Sequence, residues 1–124
     1  MVLFNPKTRY ELWYIFYDHD FNRLKFAYVK DKPKDWSART VHDLLETFPI
    51  IENPPYIPRL GEQVKFWFNE IYEGAIGKAL QETFTDYEFY AVYIDVSHRL
   101  IKGKITTAVS VYLSIDKDMW KDIM

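Results

Sequence analysis

The sequence predicts an α+β domain in which an antiparallel sheet, built from an N-terminal and a C-terminal hairpin, packs with at least one helix. Three observations predict it: strand-like aromatic segments lie near both ends, one segment between them has helical spacing, and the length suits one core. A chain of 15.0 kDa buries about two thirds of its unfolded surface on folding, which is enough for one core and too little for two. We therefore expect a single domain over residues 1–124.

The first predicted element is a β-hairpin over residues 10–30. Segment 10–17, YELWYIFY, is apolar in both alternating sets of positions, which is typical of a strand covered on both faces. Segment 18–22 is rich in Asp and Asn, whose side chains bond their own backbone in turns. Segment 23–30 alternates, with Leu24, Phe26 and Tyr28 on one face, and completes the hairpin.

A helix over about 37–48 is the next predicted element. Ser37 or Asp35 can cap its start, and Pro49 ends it. Its apolar residues fall at helical spacing: Ala38, Val41, Leu44, Leu45 and Phe48. The proline-rich segment 50–58 that follows reads as an extended, ordered crossover.

The middle segment, residues 60–84, has two interpretations. One is a single long amphipathic helix, because many apolar residues follow the i, i+3, i+4 pattern: Leu60, Val64, Trp67, Phe68, Ile71, Tyr72, Ala75, Ile76, Ala79, Leu80 and Phe84. The other is a set of barrel-like strands. We favour the strands because Gly61, Gly74 and Gly77 interrupt the helical pattern, and each interior glycine costs a helix about 1 kcal/mol relative to alanine.

Segment 58–66 (PRLGEQVKF) followed by 73–76 (EGAI) resembles the opening of small Src-homology-3-like barrels. The resemblance covers about a quarter of the chain and implies strands in this segment.

The last predicted elements form a second antiparallel hairpin. Segment 87–96 is a strand with aromatic residues on both faces, and segment 105–115 alternates cleanly. Residues 97–104, which contain Gly103, turn the chain between them. Residues 116–124 have helical spacing and predict one short terminal turn.

Composition excludes several classes of protein. The net charge of −2 argues against a protein that holds nucleic acid mainly by neutralising phosphates. The chain has no cysteine, so it has no disulfide framework, no thiolate metal site and no cysteine nucleophile. We see no signal peptide at the start and no apolar run of membrane-spanning length, and therefore expect a cytoplasmic protein that does not contact a membrane.

Local patterns predict no catalytic residue, no cofactor and no metal. The residues Asp18-His19-Asp20 could ligate a metal, but neighbours on an extended chain point to opposite faces, so we interpret them as a turn. Asp95 and His98 have the residue types of half a hydrolase relay, but we interpret them as a strand end that meets solvent. The local pattern lacks a nucleophile elbow, an oxyanion site and a glycine-rich phosphate loop.

Two groups of residues remain as candidate binding residues. His98, Arg99, Lys102 and Lys104 surround the turn of the second hairpin, where their charges can touch phosphates or an acidic partner. Nearby tyrosines can stack on the bases of single-stranded nucleic acid: Tyr90, Tyr93 and Tyr112. Further tyrosines on the predicted strands extend this aromatic surface: Tyr14, Tyr17, Tyr28 and Tyr87.

These observations predict a non-catalytic interaction module that presents an aromatic sheet surface to a protein partner or to another copy of itself. The alternative is a nucleic-acid-binding accessory protein that uses the basic tip around Lys102 and Lys104. A small aromatic chain without targeting signals also suits an accessory protein of a phage or another mobile element.

Overall fold

The structure, a computed structural model, describes residues 9–17, 33–34 and 36–117, apart from the Ile101 side chain. In the described part the chain forms β1 (Arg9–Phe16), α1 (Ala38–Glu46), β2 (Ile51–Glu52), β3 (Gln63–Val64), α2 (Phe68–Ile71), α3 (Gly74–Thr83), β4 (Phe89–Ile101) and β5 (Lys104–Ser114). Two predicted segments, 18–30 and 118–124, lie outside the described residues. They contain the Asp18-His19-Asp20 turn, the second strand of the N-terminal hairpin and most of the terminal helical turn.

The strands form one curled, half-barrel sheet in the order β2-β1-β5-β4-β3. Its centre is the β4–β5 hairpin, and β1 runs parallel to β5 along its whole length, from the pair Arg9–Thr106 to the pair Phe16–Leu113. The α+β class is confirmed, and the curled sheet agrees with the barrel-like alternative. The sheet is mixed rather than wholly antiparallel, because β1 is parallel to β5 while the other three strand pairs are antiparallel.

The second hairpin is confirmed, but the predicted turn over 97–104 is too long, because residues 97–101 continue β4 and pair with β5. The strands meet in a two-residue turn. Lys102 has φ 51° and Gly103 has φ 76°, so both central residues are left-handed, as a type I′ turn requires. One irregularity interrupts the pairing: Ala91 faces Leu113 and Tyr93 faces Tyr112, which leaves Val92 as an extra, bulged residue.

Helix α1 confirms the predicted helix and its cap. The Ser37 side chain accepts a hydrogen bond from the backbone N–H of Thr40 at 3.2 Å, which satisfies one of the unpaired donors at the helix start. Val41 and Leu45 point into the core. The helix ends at Glu46, ahead of Pro49.

Each alternative for the middle segment describes part of it. Residues Gln63–Val64 are a strand that pairs with Phe89 and Tyr90, whereas the chain from Phe68 onward is helical. One long helix does not form because Tyr72 and Glu73 are extended between α2 and α3.

The core lies between the helices and one face of the sheet. Leu12, Val109 and Val111 supply the strand side, and Val41 and Leu80 supply the helix side; each is at most 5% exposed. A group of phenylalanines fills the space between them with mostly edge-to-face rings, which is the favoured packing of aromatic pairs: Phe16, Phe48, Phe66, Phe68, Phe84 and Phe89. Within the described ranges no helix has the length and apolar character that a membrane span requires.

Candidate functional site

The sheet face opposite the helices carries a row of aromatic side chains. The register aligns Ile15, Tyr112 and Tyr93 across β1, β5 and β4. The Tyr112 ring lies between two others, 5.3 Å from Tyr93 and 5.7 Å from Tyr17 between ring centroids. Trp13 lies on the same face of β1, two residues before Ile15. Its side chain is 36% exposed, and that of Tyr93 is 39% exposed. We call Trp13, Tyr17, Tyr93 and Tyr112 the outer aromatic face.

This face follows from strand alternation. Leu12, Tyr14 and Phe16 of β1 pack toward the helices, so Glu11, Trp13 and Ile15 point the other way. The outer aromatic face is therefore an apolar surface that bears hydroxyl groups and that none of the described helices covers.

Charged residues border the outer aromatic face at one end. The Arg99 guanidinium donates a hydrogen bond to Glu11 Oε1 at 3.1 Å, and the Trp13 indole donates to Glu11 Oε2 at 3.2 Å. Glu11 thus fixes both an aromatic and a basic side chain at this edge, while the Arg99 side chain stays 54% exposed.

Tyr90 lies on the same face as Tyr93, because the bulge at Val92 shifts the alternation of β4 by one residue. Its hydroxyl donates to Glu88 Oε2 at 2.6 Å, and this hydrogen bond, with a smaller effect of burial, raises the pKa of Tyr90 above its ordinary value. Tyr90 therefore stays a neutral donor at and above physiological pH.

The structure separates His98, Lys102 and Lys104 from the tyrosines, whereas Arg99 borders their face. Lys102 and Lys104 lie at the tip of the β4–β5 hairpin and are exposed. Lys102 is nine positions along the strand direction from Tyr93, which is about 30 Å of extended chain. His98 points to the helix side of the sheet, where its Nδ1 is hydrogen-bonded to Thr107 Oγ1 at 2.9 Å.

Of the predicted binding residues, Tyr93 and Tyr112 are in contact, and Tyr90, Arg99 and, at the hairpin tip, Lys104 share their side of the sheet. His98 lies on the helix side, and Lys102 lies in the turn. Tyr14 and Tyr87 pack against the core instead of joining the aromatic surface, and Tyr28 lies outside the described residues.

The half relay of Asp95 and His98 does not assemble. Asp95 pairs with Ser110 on the outer side of the sheet, whereas His98 pairs with Thr107 on the helix side. The two side chains therefore point away from each other, and no hydrolase relay forms between them.

A cleft of about 480 Å³ lies beside β1, between the end of α1 and segment 48–50. Its rim includes His42, whose Nδ1 lies 3.6 Å from Asp43 Oδ1 and whose Nε2 lies 3.4 Å from Glu46 Oε1. His42, Asp43 and Glu46 are the described group that could hold a metal ion. One ligand atom from each residue lies within 4.8 Å of the others, but both carboxylates are exposed, and exposed acidic groups commonly lie close together without binding a metal.

Sequence reasoning missed Trp13 as a member of the site. Its signal was available, since Trp13 and Tyr17 share one set of alternating positions in segment 10–17. The alternation alone did not show which set faces the helices, because both sets are apolar.

Comparison of the chain with protein-family models, with curated proteins and with solved structures finds no match. A function for this protein therefore has to be argued from the geometry and chemistry of its own residues.

Proposed function

We propose that this protein is a non-catalytic interaction module that presents its outer aromatic face to a protein partner or to a second copy of itself. The observation that carries the proposal is the row formed by Tyr17, Tyr112 and Tyr93 beside Trp13, on the sheet face opposite the helices that the structure describes.

The chemistry of this surface suits a protein partner. Tyrosine and tryptophan combine a large apolar area with a polar group, and they are enriched at protein interfaces and among the residues that contribute most binding energy. The Glu11–Arg99 pair at the edge supplies a charged border of the kind that surrounds an apolar interface centre.

The nucleic-acid alternative has weaker support. Bases that stack on Tyr93 would lie about 30 Å from phosphates at Lys102, and a net charge of −2 opposes binding driven by phosphate contacts. We keep this alternative as an outcome of the test.

The test compares the wild-type chain with the double variant Trp13→Ser/Tyr93→Ser. Each immobilised protein is exposed to a lysate of the source cells, and the retained proteins are quantified by mass spectrometry. We expect the double variant to retain the partner on the order of tenfold less than wild type, since truncation of central aromatic residues removes most binding energy.

The matched control is Tyr56→Ser/Trp67→Ser, which removes one exposed tyrosine and one exposed tryptophan elsewhere on the chain. Circular dichroism and thermal unfolding verify that all variants fold. Equal retention by both double variants contradicts the proposal, as does a wild-type chain that stays monomeric and retains no protein. Salt-sensitive binding of labelled oligonucleotides that Lys102→Ala/Lys104→Ala abolishes would replace it with the nucleic-acid alternative.

A further inference from the structure

The far part of β4 is an open sheet edge. Strand β3 pairs with β4 only at Phe89 and Tyr90, and the backbone of Ala91 adds hydrogen bonds to Gly61 and Glu62. From residue 93 to residue 101, β4 pairs with β5 on one side and has no strand partner on the other side among the described residues.

The register shows which backbone groups point to this open edge. The two-residue turn at Lys102–Gly103 makes Ile101 and Lys104 a hydrogen-bonded pair, so alternate pairs back along the hairpin are also hydrogen-bonded. The odd-numbered residues from 93 to 101 therefore bond to β5. The N–H and C=O groups of the even-numbered residues point away from β5 into the open edge: Ile94, Val96, His98 and Leu100.

An independent contact supports this assignment. The Tyr17 N–H donates to the Leu113 carbonyl at 3.1 Å, so odd-numbered residues of β5 face β1. The even-numbered residues of β5 must then face β4.

This edge carries Asp95 and Arg99 but lacks several other features with which monomeric proteins protect edge strands. Residues 93–101 contain no proline, no lysine and no bulge, since the bulge at Val92 precedes them. Val96 is 52% exposed and Leu100 is 73% exposed. Such a strand exposes both apolar side chains and unpaired backbone groups to any second strand.

We propose that two copies of this chain pair antiparallel through β4, with Ser97 on the two-fold axis. In this register residue i faces residue 194 − i of the other copy, so the pairing uses the whole open edge from 93 to 101. Val96 then faces His98, and Ile94 faces Leu100. All four have outward backbone groups, and each such pair exchanges two hydrogen bonds.

Charge complementarity selects this register. Asp95 of one copy faces Arg99 of the other, twice about the axis, on the outer side of the sheet. Opposite charges in directly facing positions stabilise a strand pair, whereas like charges destabilise it. If the numbers of two facing residues added up to 192 or 196 instead of 194, Asp95 would face Ser97 or Ile101 of the other copy. The charge pair would then be lost.

The existing partner of Arg99 does not prevent this contact. Glu11 accepts one hydrogen bond from one terminal nitrogen of the guanidinium, which has five N–H donors in all, and the Arg99 side chain is 54% exposed. The dimer has one continuous sheet, and because its two-fold axis is normal to that sheet, both outer aromatic faces lie on the same side.

The test uses the absence of cysteine from the chain, which makes every disulfide of a single-cysteine variant intermolecular. Ser97 faces its own copy in a non-hydrogen-bonded pair, where the Cα atoms are about 4.5 Å apart, within reach of a disulfide. We expect Ser97→Cys to cross-link nearly completely under mild oxidation. The control Asp95→Cys should cross-link at least tenfold more slowly, because its two thiols are offset by about 13 Å along the strands.

Light scattering after size exclusion should give twice the mass of the 15.0 kDa chain for wild type at high concentration. Val96→Pro removes an N–H that no described contact of the monomer uses, and should raise the dimer dissociation constant at least tenfold. Val96→Thr keeps the N–H and the β-branched shape, and should dimerise like wild type.

Wild type that is monomeric at hundreds of micromolar, or Ser97→Cys that cross-links no faster than Asp95→Cys, would overturn the proposal. If Val96→Pro also unfolds, the cross-linking comparison decides alone. These results are independent of the test of the outer aromatic face, since Trp13→Ser/Tyr93→Ser leaves the outward groups of residues 94–100 in place.

Discussion

Two tyrosines of the core make the stability of the protein sensitive to alkaline pH. Burial raises the pKa of Tyr14 and of Tyr72 above the ordinary value of 10.0. The Tyr72 hydroxyl donates to the Leu44 carbonyl at 2.9 Å, and the Tyr14 ring packs against Phe48 and Phe66. In both positions the folded protein favours the neutral phenol over the phenolate.

We predict that these residues destabilise the fold above about pH 10. Below that pH, Tyr72 is protonated in the folded and unfolded chains, and its full contribution is present. Above it, the unfolded chain ionises first, so the free energy of unfolding falls as the pH rises through the folded pKa. Tyr72→Phe or Tyr14→Phe should flatten this fall, because phenylalanine does not ionise.

The measurement is urea unfolding of wild type and both variants between pH 8 and pH 11.5. At pH 8 Tyr72→Phe should lose about 1 kcal/mol, from the hydrogen bond to Leu44. Variants whose stability declines with pH as steeply as that of wild type would contradict the assignment.

At the scale of elements, the junction of α2 and α3 depends on Gly77. A Cβ atom at this position would overlap the carbonyl oxygen of Tyr72 and crowd the Cα of Asn69. These are backbone atoms, which cannot move aside as the end of a flexible side chain can. Gly77 is therefore what lets α3 pack directly against the end of α2.

We predict that Gly77→Ala destabilises the protein by about 1–3 kcal/mol, as overpacking of a core does. The sign of the change in the free energy of unfolding distinguishes this explanation from helix propensity, which favours alanine over glycine by about 1 kcal/mol within a helix. Urea unfolding measures the difference, and Lys78→Ala, an exposed position in the same helix, serves as the control. A Gly77→Ala protein as stable as wild type would refute the packing argument.

The elements that sequence predicts correctly are those whose signals are local. Ser37 caps α1 through the Thr40 N–H three residues away. Gly103 marks the second hairpin's turn and has the left-handed backbone that the turn requires, although the predicted turn begins five residues too early. The middle segment depends instead on distant contacts. The Phe68 N–H at the start of α2 donates to the Gln81 side chain, a contact that no helical or strand periodicity reveals.

At the scale of the whole molecule, local sequence signals likewise predict only part of the candidate site. Composition and alternation predict the tyrosines, but the bulge at Val92 is what brings Tyr90 and Tyr93 onto one face. Strict alternation would place them on opposite faces, since they are three residues apart. Likewise, the open edge of β4 depends on where β3 ends, and the sequence of β4 contains no sign of that boundary.

Amide hydrogen exchange along β4 should follow from the order of the strands in the sheet. Strand β5 is paired on both sides from residue 106 to residue 113, by β1 and β4, so the amides of these residues should exchange slowly. On β4, the N–H groups of Asp95, Ser97 and Arg99 bond to β5, while those of Val96 and His98 point into the open edge.

In dilute solution we therefore expect the amides of Val96 and His98 to exchange on the order of tenfold or more faster than those of Asp95, Ser97 and Arg99. Nuclear magnetic resonance resolves each amide, and β5 is the internal control for opening of the whole hairpin. At high protein concentration the fast amides should become slow if copies pair through this edge. Equal exchange at 95–99 in dilute protein would mean that the edge is already covered, and would remove the physical basis for pairing there.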